Sequence, residues 1–153
     1  MKFLYRLREK YEYHRFRFLL YLKEREEISN IIRTTVKYLE ELMIKVNSYI
    51  YSSKTDYQKN FYTVEYCFLK DTFESIRKIW SKIVKFPSYV EIYDLIKDLK
   101  FYNNKLRIYI RRSLDDYYYQ NRDFFYQHLY DSNHRLDIIK RCLDNDNLID
   151  YLK

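Results

Sequence analysis

Histidine and cysteine, two residue types that often carry catalytic or metal chemistry, are scarce in this chain. The chain contains three histidines and two cysteines, which are His14, His128, His134, Cys67 and Cys142. Their spacing matches no known zinc or other metal site, and His128 and His134, six positions apart, lie on different faces of a helix. We therefore predict that the protein binds no metal and no cofactor.

The chain also contains no glycine. Phosphate-cradling loops, dinucleotide-binding turns and the nucleophile elbow of hydrolases all use glycine for positive φ angles or for close approach of the backbone to a ligand. Its absence excludes these three kinds of site.

One short motif has a spacing that is associated with chemistry. The segment Arg122–Tyr130 reads RDFFYQHLY, and it resembles the R-x(4–6)-H motif of HEPN-type ribonucleases, which are helical bundles that act as dimers. The resemblance implies that Arg122 stabilises a phosphate and that His128 takes part in transfer of the 2′-hydroxyl proton. In the other interpretation, Arg122 is a partly buried arginine that pairs with an acid such as Asp116, and His128 is an ordinary residue at the surface or at the edge of the core.

Basic residues give the chain a formal net charge of +7 and a pI near 9.2. Such a charge favours acidic partners, and Lys and Arg next to exposed aromatic rings are typical of nucleic-acid surfaces. We predict nucleic-acid binding by two clusters, namely Lys2, Arg6, Arg8, Lys10, Arg15 and Arg17, and Lys105, Arg107, Arg111 and Arg112. The other interpretation is that these cations form solvated helix faces, because Glu9 and Glu12 interrupt the first cluster.

Tyrosine is unusually frequent, at 20 residues. The run Tyr117–Tyr119 cannot be buried completely, because consecutive helical positions point about 100° apart. Exposed tyrosines are common interface anchors. Tyr117 and Tyr119 are therefore predicted to bind a partner protein or a second copy of the chain.

The elements that carry these residues are all predicted to be helices. Apolar residues recur at alternating steps of three and four from Leu4 to Tyr49, which predicts one long helix or one broken near residues 24–30. A polar stretch at 52–60 is predicted to be a loop. We call such a series of apolar residues a seam, and that of Leu4 to Tyr49 is the first. A second seam follows at Tyr62, Tyr66, Leu69, Phe73, Ile76, Trp80 and Ile83.

The rest of the chain predicts two further helices. Pro87 ends the second seam and Ser88 caps a shorter helix, which is predicted to close at Asn103–Asn104. A last helix is predicted over residues 105–142, with Ile110, Leu114, Tyr118, Phe125, Leu129, Leu136 and Ile139 on its apolar stripe. The fold class is therefore all-α, an antiparallel bundle of four to five helices that forms one domain over residues 1–153.

Several further features bear on the setting of the protein. Gly and Ala are absent and Lys, Asn, Ile, Tyr and Phe are abundant, as in the AT-rich genes of many viruses and mobile elements. The two distant cysteines predict buried free thiols in a reducing compartment such as the cytoplasm. No run is long enough to span a membrane. We predict a small non-enzymatic protein that binds nucleic acid or a partner protein, with the HEPN-like ribonuclease as the alternative.

Overall fold

Four long helices make up the fold. The computed structural model describes residues 2–113 and 119–144, and within these ranges it contains no β-strand. The helices are α1 (Lys2–Ser52), α2 (Asp56–Ile83), α3 (Tyr89–Ser113) and α4 (Arg122–Asp144). Each packs on the next in the chain and α4 packs back on α1. The protein is an all-α antiparallel bundle, as its sequence predicts, and the described residues form four helices.

The first helix is unbroken at residues 24–30. At 1.5 Å per residue its full length is about 75 Å. The charged run KEREE at residues 23–27 takes part in packing, since Glu24 is buried together with the adjoining Ile28 and Ser29. Glu27 also accepts two hydrogen bonds, of 2.7 and 2.8 Å, from Arg135 of α4. No glycine or proline interrupts this stretch, so burial and ion pairing hold the helix continuous.

The link between α1 and α2 is shorter than predicted. Most of the predicted loop at 52–60 is helical, because α2 begins at Asp56. Thr55 is the N-cap, and its hydroxyl oxygen accepts a hydrogen bond of 3.1 Å from the Gln58 amide. Asp56 adds a negative charge to the first turn, where the helix dipole favours it. Local capping therefore starts the helix within a stretch whose polar composition suggests a loop.

The link between α2 and α3 follows the prediction. α2 ends at Ile83, before Pro87, and the Ser88 hydroxyl accepts a backbone N–H from the first turn of α3 at 3.2 Å. Phe86 has a φ of 55°, in the left-handed region that glycine usually occupies. The Arg25 guanidinium lies 4.0 Å from the centre of its ring, a contact that helps to stabilise this conformation.

The predicted turn at Asn103–Asn104 is wrong, because α3 continues through it to Ser113. Asn103 is buried and its amide donates a hydrogen bond of 3.0 Å to the side-chain oxygen of Asn133 in α4. The last helix consequently starts at Arg122 and not at residue 105. A polar pair that the sequence suggests as a helix end is in fact a contact between helices.

The core draws on all four helices. Its fully buried apolar residues include Ile28, Ile32, Leu39, Leu42, Val46, Leu69, Ile76, Ile83, Ile92, Ile96, Leu99, Leu106, Ile110, Phe125, Leu129, Leu136 and Ile139.

Both cysteines are free thiols. The prediction that both are buried is wrong for Cys67, which is exposed on α2, while Cys142 is half-buried. Within the described ranges, no helix is long and apolar enough to cross a membrane.

The start of α1 extends beyond the bundle. Tyr21 is the first buried residue of this helix, and its hydroxyl donates a hydrogen bond of 2.6 Å to the Pro87 carbonyl. Arg17 reaches the Leu143 carbonyl near the end of α4 at 2.9 Å. Residues 2–20, which we call the N-terminal extension, are exposed or half-buried. The seam that starts at Leu4 is therefore buried only from Tyr21 onward.

Candidate nucleic-acid interface

A continuous basic surface lies on the outer side of α3. Between Lys97 and Ser113 this helix carries six cations and one acid, Asp98. The apolar residues Leu99, Leu106 and Ile110 point into the core, which leaves the cations on the outside of an amphipathic helix. Together with one residue of α4 they form what we call the α3 basic face, comprising Lys97, Lys100, Lys105, Arg107, Arg111, Arg112 and Lys140.

Arg107 lies at the centre of this face, where α3 meets α4. One terminal nitrogen of its guanidinium donates to Tyr126 Oη at 3.3 Å, and the other donates to Asn104 Oδ1 at 3.4 Å. The guanidinium carbon lies 5.3 Å from the Tyr126 ring centre and 5.0 Å from that of Tyr130. Within the described ranges, no carboxylate pairs with Arg107, and its buried Nε has no hydrogen-bond partner. Its positive charge is therefore held in place but not neutralised.

A second guanidinium acts on the same phenol. The hydrogen bond from Arg107, followed by the charge of Arg107 and of Arg111, lowers the pKa of Tyr126. Both arginines therefore lie close to one hydroxyl group on the surface. Two cations that converge on one small acceptor form a local positive centre of the kind that binds a phosphate oxygen.

A chain of amides fixes the position of Arg107. Asn103 donates to Asn133, and Asn133 donates in turn to Asn104 Oδ1 at 2.9 Å. Asn104 then accepts the hydrogen bond from Arg107. Because Asn103 and Asn133 are buried between α3 and α4, this network links the position of the guanidinium to the packing of the two helices.

A groove between α3 and α4 continues the basic face away from Arg107. Its volume is about 310 Å³ and its walls include Tyr93, Lys97, Lys100, Phe101 and Lys140. The Lys140 ammonium lies 5.4 Å from the Tyr93 ring centre, and Lys100 forms an ion pair with Asp137. Three lysines and two aromatic rings thus line one channel.

On its α2 side, the α3 basic face borders a second groove. Lys105 and Arg112 border a groove of about 320 Å³ between α2 and α3, next to Ile108. The Lys105 ammonium lies 4.6 Å from the ring centre of Phe101, which is exposed. Phe101 therefore separates the two grooves and is accessible from solvent.

The structure does not bring the two predicted clusters together. Lys2, Arg6, Arg8, Lys10 and Arg15 are exposed on the N-terminal extension. Arg17 is half-buried at its base, with Tyr13 Oη at 2.8 Å and the Tyr89 ring centre at 4.8 Å. Since Arg17 reaches the end of α4 and Arg107 contacts its first turns, helix geometry separates Arg8 from Arg107 by about 40 Å.

The residues of the ribonuclease motif both lie on α4. Arg122 is its half-buried first residue. His128 lies half-buried between α4 and α1, with Nε2 2.8 Å from Thr35 Oγ1 and Nδ1 3.5 Å from Ser132 Oγ. The Thr35 hydroxyl donates to the Ile31 carbonyl, which leaves Nε2 as the donor to Thr35. Desolvation lowers the pKa of His128, so the neutral imidazole is favoured at this contact.

Of the two tyrosines predicted to bind a partner, one can be examined in the structure. Tyr119 is only 5% exposed, and its hydroxyl donates to Glu41 Oε2 at 3.2 Å. It therefore belongs to the core and does not provide the exposed anchor that the sequence predicts. Leu114, Tyr117 and Tyr118 lie outside the described residues.

Several residues of the α3 basic face are not evident from the sequence. Lys140 joins the face, and Tyr126 and Tyr130 border it, only because α3 and α4 pack side by side. Lys97 and Tyr93 lie on α3 but belong to a groove whose other wall is Lys140 of α4. A partial signal exists, because Lys97, Lys100, Asn104, Arg107 and Arg111 follow steps of three and four along one helix face. The predicted break at Asn103–Asn104 hides this repeat by dividing it between two helices.

The rest of the described chain offers no grouping of three His, Cys, Asp or Glu side chains that could hold a metal ion. No protein-family model matches the chain, and no characterised protein or solved structure is detectably similar to it.

Proposed function

We propose that this protein is a non-enzymatic binder of nucleic acid and that the α3 basic face contacts single-stranded segments. The observation that carries the proposal is the position of Arg107, whose guanidinium rests on two tyrosine rings and contacts only an amide oxygen and a phenol. An arginine so held can receive a phosphate without first breaking an ion pair.

The neighbours of Arg107 favour a single strand as the ligand. Tyr130 and Phe101 are each more than half exposed, and unpaired bases stack on such rings with little sequence preference. Lysines on both sides supply contacts to the phosphate backbone. No element among those described has the shape of a known base-reading motif, so binding that is insensitive to sequence is expected.

The geometry of His128 gives less support to the ribonuclease alternative. A general base or acid must place a ring nitrogen at the substrate, and here both nitrogens contact protein hydroxyls, those of Thr35 and Ser132. The binding function requires no such rearrangement of the site.

The first test combines R107A with R111A. Fluorescence anisotropy with labelled single-stranded RNA, single-stranded DNA and duplex DNA should give tightest binding to the single strands. Loss of two phosphate contacts should reduce the slope of log K against log salt by about 1.4, and affinity at low salt should fall at least about tenfold.

The matched control changes two exposed lysines of α1 that lie away from the face, K37A with K45A. This variant removes the same charge but should keep most of the affinity. Equal losses in the two double variants would contradict a localised site. Shortened RNA on a denaturing gel, with cleavage abolished by H128A, would support the ribonuclease instead.

A further inference from the structure

The apolar seam of α1 continues past the end of the bundle. Its first positions are Leu4, Leu7, Tyr11, His14 and Phe18. All five are exposed, and the four apolar ones, Leu4, Leu7, Tyr11 and Phe18, are 68%, 47%, 67% and 55% exposed. They follow the same steps of three and four that, from Tyr21 onward, place residues in the core. The same pattern is therefore buried in one half of the helix and exposed in the other.

The seam loses its cover where α2 ends. Arg25 contacts the carbonyl of Ile83, the last residue of α2, at 3.3 Å, and its guanidinium lies over Phe86 in the link to α3. Residues of α1 before this level extend past α2, and nothing else in the described chain covers Leu4, Leu7 or Tyr11. The exposed stripe has the spacing of a surface that packs against another helix.

The positions beside the seam are all basic. If Leu4 and Leu7 are the a and d positions of a heptad, the e positions are Arg8 and Arg15 and the g positions are Lys10 and Arg17. The acids of this segment lie at outer positions, with Glu9 at f and Glu12 at b. Glu12 forms an exposed ion pair with Arg8 at 3.4 Å, which an acid of a paired helix would have to replace. The first turn of α1 also contains no acid, so the positive end of the helix dipole is not compensated.

This arrangement of charge selects the partner. Residues at e and g face the corresponding residues of a paired helix and determine which helices can pair. A second copy of this chain would place cation against cation, Lys10 against Arg15 in parallel pairing and Arg8 against Arg15 in antiparallel pairing. A helix with acids at e and g would form ion pairs at the same places.

We propose that residues 4–18 of α1 dock an acidic amphipathic α-helix from a partner protein, with Leu4, Leu7, Tyr11 and Phe18 forming the seam and Arg8, Lys10 and Arg15 selecting the charge. This function is separate from nucleic-acid binding, because the seam lies on the part of α1 that extends beyond the bundle, and Arg8 is about 40 Å from Arg107 at the centre of the α3 basic face. The exposed seam is about four helical turns long.

The probe is a labelled synthetic peptide of four heptads with leucine at a and d and glutamate at e and g. Anisotropy with the full chain should give saturable binding that weakens with salt. The charge-inverting variant R8E with R15E should lose at least about tenfold in affinity, since attraction becomes repulsion at several pairs. A matched peptide with lysine at e and g should bind this variant more tightly than it binds the natural chain, although Lys10 and Arg17 still repel it.

Two controls separate the seam from net charge. K37E with K45E changes the charge by the same amount outside the seam and should keep the affinity. Y11S removes an exposed apolar contact, so the fold should be retained while peptide binding weakens.

Four results would overturn the proposal. They are absence of binding at low salt, equal binding of a scrambled acidic peptide, preferential binding of the extension to phosphatidylserine vesicles, and a homodimer in sedimentation that Y11S dissociates. Each is independent of whether R107A with R111A affects RNA binding, so either proposal can fail without the other.

Discussion

Three side chains that could bind a ligand or transfer a proton have their roles set by their immediate neighbours. Arg107 is supported by tyrosine rings and a neutral amide, so its charge remains available to an anion. His128 is enclosed between α4 and α1 and bonded to Thr35, which favours its neutral form. Tyr119 hydrogen-bonds to Glu41 and is buried. Residue type alone does not distinguish an available group from one already engaged.

The pH dependence of stability should reveal the state of His128. Because desolvation lowers its pKa below 6.5, the unfolded chain binds the proton first as the pH falls. Its contribution is therefore present above pH 6.5 and is lost as the pH falls through the folded-state pKa. Urea unfolding at pH 7.5 and 5.5 should show a larger acid loss for the natural chain than for H128Q.

The comparison with H128Q is needed because other groups act in the opposite direction. Burial raises the pKa of Glu24 and of Glu65, so their contribution is present below pH 4.5 and is lost as the pH rises through their folded-state pKa values. These effects are common to both proteins and cancel in the difference. Equal acid losses in the two would mean that the histidine titrates as it does in water.

At the scale of the elements, α3 and α4 depend on each other through buried polar groups. Asn103 and Asn133 form a buried hydrogen bond, and Asn104 extends the chain to Arg107. An amphipathic helix usually presents apolar residues to its neighbour. Here the amides fix how the two helices are aligned, and this alignment creates the groove with its lysines and rings.

Changing Asn103 alone should lower the stability of the fold, whereas changing Asn103 and Asn133 together should largely preserve it. N103A leaves the side-chain oxygen of Asn133 buried without the donor it has in Asn103, which should lower the free energy of unfolding by about 1–3 kcal/mol. N103L with N133L removes both polar groups and should restore most of that stability. Denaturant unfolding measures both, and RNA affinity should still fall in the double variant because Arg107 loses its support. A loss of stability in N103L with N133L that is larger than the loss in N103A would contradict this account.

At the scale of the whole molecule, one helix has two different environments. From Tyr21 onward α1 is part of a packed core, whereas the N-terminal extension lies outside it. The two predicted basic clusters consequently lie apart, with Arg8 about 40 Å from Arg107. The molecule therefore has two basic surfaces, one on α3 and α4 with exposed aromatic rings and one on the N-terminal extension with an exposed apolar seam.

Identical substitutions in the two halves of α1 should have unequal effects. Leu39 is fully buried and Leu7 is 47% exposed, although both lie on the same seam. L39A should cost about 2–5 kcal/mol of unfolding free energy, while L7A should change it by no more than about 0.5 kcal/mol. Thermal and urea unfolding measure both, and a large loss in L7A would mean that the extension is covered in the free protein.

The sequence by itself determined the helical class, because apolar residues recur every three to four positions in the seams that contain Leu39 and Ile76. The chain also lacks the glycines that other folds and sites use. It also indicated the start of α3 at Ser88, since capping and proline effects act within a few residues. Tertiary structure alone decided where α3 ends, because Asn103 has its partner in α4. It alone decided which part of the α1 seam is buried, because periodicity marks a face for packing but does not say whether another helix extends far enough to cover it.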